Sequence, residues 1–163
     1  MNELLTSPTK AEKRALWLAE YLMRDEQLAP YFLQEDGQPK LFWTESQTAA
    51  LSALMGSYNA AIIPWNPSLE QINKSANGAE RIMRVTCPIV VVVSALLGEQ
   101  AMPACHRLTT ALLKQGHALG SDETYTGEQP AVLYVGAVSM SELGEKFKST
   151  VAQVIQFSFL YKH

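Results

Sequence analysis

The segment Arg81 to Leu97, RIMRVTCPIVVVVSALL, constrains this chain more than any other. In its first half Arg84 and Thr86 fall on one side of an extended chain, and Met83 and Val85 on the other. Its second half, Ile89 to Val93, is apolar on both sides. Such a run predicts a strand that starts partly exposed and ends buried. At ~14 residues it exceeds the usual five or six, and a strand of that length can leave the body of a domain as a hairpin arm. Pro88 has no N–H, which predicts a bulge or an edge position in mid-strand.

The rest of the chain supplies partners for this strand. With 163 residues there is room for one core and not comfortably for two. Hydrophobic residues make up 47% and charged residues 18%, which excludes global disorder. Thirteen Lys+Arg against 16 Asp+Glu argue against a strongly basic nucleic-acid binder and leave room for a local basic patch. The longest apolar run, Pro88 to Val93, is far too short to span a bilayer as a helix. MNELLTSPTKAEKR holds no basic segment leading into an apolar one, so no secretory signal is expected. Cys87 and Cys105 make no disulfide framework, and a reduced cytoplasmic setting is the default expectation.

Upstream, Thr9-x-x-Glu12 fits a capping box, and Ala11, Ala15, Leu18 and Leu22 recur at helical spacing. This predicts an amphipathic helix that fades near Leu28, before Pro30. Residues 34–39 read as a turn, Leu41-Phe42-Trp43 as a short strand, and Thr44 to Met55 as a second helix closed by Gly56. Ala60 to Trp65 is β-prone, with Pro64 marking an end or edge. Asn66 to Glu80 is the most polar long stretch and reads as a mobile loop, either functional or a tolerated surface insertion. Downstream, a helix is expected from about Met102 to Gln115, with Gly116 as its C′ residue. Gly120 to Pro130 reads as a loop. Ala131 to Val138 and Thr150 to Tyr161 are strands that can pair antiparallel, the second with Val151, Ile155, Phe157, Phe159 and Tyr161 on one face. The expected class is a single α+β domain, its helices on one face of a mostly antiparallel or mixed sheet, with a long hairpin and a flexible loop at 66–80.

No catalytic signature stands out. There is no Gly-x-x-x-x-Gly-Lys and no Gly-x-Ser-x-Gly. His106 and His117 on one helix would lie roughly 16 Å apart, too far to share a metal. Cys105 falls on the apolar stripe and its neighbour His106 points elsewhere, so a structural cysteine is favoured over a nucleophile. Cys87 reads the same way. Asp122-Glu123 and Glu35-Asp36 read as solvated turns rather than paired catalytic carboxylates. No cofactor or metal is implied. The residues nominated for a partner interface are Trp65, Asn73, Lys74, Arg81 and Arg84, around the expected hairpin. Their plainer reading is a core aromatic and charges that guard a strand edge.

The order of these elements resembles that of the tail terminator proteins of long-tailed bacteriophages and related tail-like particles. The features that carry it are the N-terminal helix (Thr9 to Leu28) and the strand into a polar segment (Ala60 to Glu80). The long return strand (Arg81 to Leu97), the helix (Met102 to Gln115) and the final strand pair, with its alternating Thr150 to Tyr161, complete it. The segment Phe42 to Met55 departs from the smallest members. The resemblance implies a virion structural protein and not an enzyme. It would form a ring with copies of itself, usually six, on the head-proximal end of the tail. Its other partners would be the tail tube protein and the head–tail connector, with DNA only in transit through the lumen and no membrane. Its places would be the host cytoplasm during assembly and then the virion tail. Two other readings stand beside it: an adaptor or immunity-type protein that binds one partner, and a small enzyme or ligand-binding domain with a cleft near Cys105, His106 and the 120–130 loop.

Overall fold

The computed structural model describes residues 7–43, 52, 54, 59–65, 67–74, 81–118, 130–137 and 150–162. Helix α1 (Lys10–Met23) opens on the expected capping box: Thr9 Oγ1 accepts from the Glu12 amide, and the Glu12 carboxylate accepts from the Thr9 amide. This arrangement holds the Glu12 carboxyl below its ordinary pKa, first through the backbone hydrogen bond and then through the hydroxyl. Ala11, Ala15, Leu18 and Leu22 are all buried, as the helical period requires.

The helix stops earlier than Pro30 alone would dictate. Asp25 Oδ1 accepts from the amides of Gln27 and Leu28, which turns the chain after Arg24. A short 3₁₀ turn, Ala29–Tyr31, follows. The 34–39 turn is a miniature hairpin of β1 (Gln34–Glu35) and β2 (Gln38–Pro39). Asp36 and Gly37 have φ of 52° and 78°, the two left-handed residues that a type I′ turn demands. Leu41-Phe42-Trp43 is not a strand. Phe42 is instead buried against one face of the large sheet, while Trp43 packs toward the other core. Of the second expected helix, Ser52 and Leu54 are helical and the rest lies outside the described residues.

The large sheet has five strands: β3 (Ala60–Pro64), β4 (Ser68–Lys74), β5 (Arg81–Ser94), β6 (Pro130–Ala137) and β7 (Thr150–Lys162). All its strand pairs are antiparallel. The long β5 is its spine. It pairs with β7 along its whole length on one side, from Ile82↔Lys162 to Ser94↔Thr150. On the other side it pairs with β3 and then β4, and β6 closes the far edge against β7. The strand ends at Ser94 rather than Leu97, because the Ser94 hydroxyl accepts from the Leu96 amide and starts a 3₁₀ turn, Ala95–Gln100. That turn kinks at Gly98 (φ 59°) into α2 (Ala101–Ala118).

Both long helices pack on one face of the sheet, so the protein is an α+β fold of the expected class. Odd-numbered residues of β5 and β7 (Val85, Cys87, Ile89, Val91; Ile155, Phe157, Phe159) meet α1 and α2 in the main core. Even-numbered Val90 and Val92 form a second cluster with Ala61, Ile63, Phe42 and Leu54 on the opposite face. Among the described residues that face is covered at this end. Toward the other end of β5, Arg84, Thr86 and Pro88 remain half-exposed, as the alternation of the segment predicts. Gly116 lies inside α2 and not at its C′ position. A Cβ there would overlap the Phe157 ring, so the residue serves close helix–sheet approach.

Candidate functional site

The stretch expected to be a mobile loop contains strand β4. Although polar, it is extended and hydrogen-bonded to β5, with Ser68 opposite Thr86 and Lys74 opposite Arg81. The sequence masks this because Ser68 to Gln71 are all exposed and carry little apolar alternation. What holds β4 is the long β5 beside it, a tertiary template that overrides weak local propensity. The residues between Lys74 and Arg81 lie outside those described.

Strands β3 and β4 run along β5 as one interrupted edge. Between Pro64↔Ile89 and Ser68↔Thr86, three residues on the edge face two on β5. This break between β3 and β4 lies opposite Pro88, which supplies no N–H to the ladder. The Pro88 carbonyl is still used, accepting from the Trp65 amide at 2.9 Å. A second register shift falls between Gln71 and Asn73. The bulge or edge position expected at Pro88 is not found: β5 is an internal strand, and its register against β7 runs unbroken through Pro88↔Gln156.

Of the nominated residues, Trp65 stands in the break between β3 and β4, half-buried against the cluster of Ile63, Val90 and Phe42. Arg84 lies opposite Glu70 and approaches it to 3.9 Å in an exposed ion pair. Asn73, Lys74 and Arg81 occupy the last register positions of the β4–β5 pair, Asn73 opposite Ile82. Four of the five therefore belong to the β4–β5 ribbon, Trp65 lies between β3 and β4, and Arg84 does not stand as an uncompensated positive charge. The Glu70 partner was legible only once β4 was known to be a strand.

The sheet has two open edges. Among the described residues nothing pairs with the outer side of β4 or of β6. The β3 end of its edge is partly covered, since Phe32 bridges to Ala60 and the Leu33 amide donates to the Ala60 carbonyl. Three antiparallel steps separate β4 from β6, so the two free edges run in opposite directions. An unpaired edge presents a row of backbone donors and acceptors to any extended partner.

The other candidates resolve into structure. Cys105 is buried while the adjacent His106 is exposed, so the two do not meet. Burial pushes the Cys105 thiol up to about 11. Burial pushes Cys87 up to about 12, against a smaller opposing pull from Arg14. Both are thiols at neutral pH. Glu35 pairs with Lys40 at 2.6 Å, and Asp36 is a turn residue. Asp122 and Glu123 lie outside the described residues. Among those described, no group of three His, Cys, Asp or Glu side chains could hold a metal ion, and no helix is long and apolar enough to cross a membrane. No family model matches the chain, and no curated protein or solved structure matches it.

Proposed function

We propose that this chain is a structural assembly protein that closes into a ring through its sheet edges, in the manner of phage tail terminators. The observation that carries the reading is the pair of open edges, β4 and β6, running in opposite directions. When β6 of one copy meets β4 of the next, the antiparallel alternation continues across the junction. That is a heterologous contact, and it closes into a ring when the rotation per subunit divides a full turn. The exposed β4 residues Ser68, Leu69, Glu70 and Gln71 leave its side chains clear for a neighbour. The same ribbon carries Asn73, Lys74, Arg81 and Arg84, with Trp65 just before it, and these lie at the subunit junction or face the tail tube and connector.

Negative-stain microscopy of the purified chain tests this. Closed rings, usually of six subunits, are expected, and Gln71→Pro on the outer strand disperses them without unfolding the protein. Rings that persist unchanged in a folded Gln71→Pro variant contradict the edge assignment.

A further inference from the structure

A pocket of about 430 Å³ opens at the end of the sheet remote from β4. Leu28, Tyr31, Val93, Ala104 and Leu108 give it an apolar wall, and Arg107 stands on its rim. Its size is that of a small-molecule site, and so is its make-up: an apolar cavity with few polar groups.

The charge at the mouth selects the ligand. Arg107 lines this pocket and also an adjoining cleft of about 500 Å³, where His106 and Lys114 stand beside it on α2. Among the described residues Asp25 is the one carboxylate that lines either space, and protein donors already occupy it. Its Oδ1 accepts from the Gln27 and Leu28 amides, and its Oδ2 accepts from Gln115 Nε2 at 2.7 Å. Among the described residues neither Arg107 nor Lys114 joins an ion pair. The mouth is therefore a cationic rim over a mostly apolar cavity, whose polar lining beyond Arg107 is the neutral Gln27, Tyr31 and Asn59.

We propose that this pocket binds a small monocarboxylic acid, its apolar body against Leu28, Val93 and Leu108 and its carboxylate on the Arg107 guanidinium. A guanidinium fork matches a carboxylate in two parallel hydrogen bonds, and desolvation of the apolar body supplies the rest. The site uses no residue of β4 or β6, so it stands or falls apart from the assembly reading.

Calorimetric titration with octanoate and 3-phenylpropanoate, each beside its alcohol analogue, tests the proposal. At least one acid should bind saturably at one per chain, about tenfold tighter than its alcohol, as a charge-assisted pair predicts. Arg107→Gln should remove that acid-over-alcohol preference while the melting temperature holds. Ala104→Trp should block both ligands by filling the cavity, and Lys13→Gln on α1 should change nothing. If Ala104→Trp does not fold, the Arg107→Gln comparison decides alone. Saturable binding by neither acid, equal affinity for acid and alcohol, or a preference that survives Arg107→Gln would each overturn it.

Discussion

Gly116 of α2 lies against the ring of Phe157 in β7, so closely that a Cβ at position 116 would overlap the ring. This contact sets how near the second helix comes to the sheet. Gly116→Ala ought to help a helix by up to ~1 kcal/mol on propensity alone. Here overpacking should outweigh that gain, for a net loss of about 1–2 kcal/mol. Urea unfolding measures it, and in a Phe157→Leu background, itself less stable for the lost core volume, the same change should cost much less. An unchanged or raised midpoint for Gly116→Ala alone would show that the sheet and helix have room to separate.

The capping box at Thr9 and Glu12 gives α1 a pH-dependent component. The Glu12 pKa is depressed in the folded protein, so its contribution is present above the unfolded pKa. It is lost as pH falls through the folded value. Thr9→Ala should cost about 1 kcal/mol near neutral pH. The difference between wild type and Glu12→Ala, which removes the titrating group itself, should shrink under acid conditions, which denaturation series at several pH values will read.

The two cysteines should be silent in the native state. Both are fully buried, and burial raises both thiols. Ellman's reagent at pH 8 should label neither at an appreciable rate, and both at once in denaturant. Fast labelling of Cys105 in the folded protein would reopen a reactive role for it.

The Glu70–Arg84 pair should matter little to stability. Its side chains are 58% and 34% exposed and the contact is 3.9 Å. A double-mutant cycle with Glu70→Ala and Arg84→Ala should give a coupling below about 1 kcal/mol. If the ribbon is an assembly surface, the same variants should alter ring formation far more than folding.

Much of this fold was legible because its signals were local or periodic. The Thr9–Glu12 box, the Ala11–Leu22 stripe and the alternation of Thr150–Tyr161 each carry their own physics and reappear in α1 and β7. The burial gradient of β5 also follows from Arg84, Thr86 and Val90–Val93. The misses share a cause, which is tertiary context. Strand β4 has almost no propensity of its own and is templated by β5. Gly116 resembles a helix terminator until Phe157 is placed beside it. Asp25 ends α1 through two side-chain hydrogen bonds that no apolar period reveals. Four of the five nominated interface residues gather on the β4–β5 ribbon and Trp65 stands just before it, but the open edges beside them are backbone features, and only the pairing of the strands exposes them.

The central claim is that copies of this chain join edge to edge, head to tail, and close. Native mass measurement across a concentration series tests that most directly. The account predicts a single closed oligomer, usually of six subunits, that grows in as concentration rises, with no stable dimer on the way. A twofold dimer that persists at every concentration would contradict it, because an isologous contact consumes the edge that a ring requires.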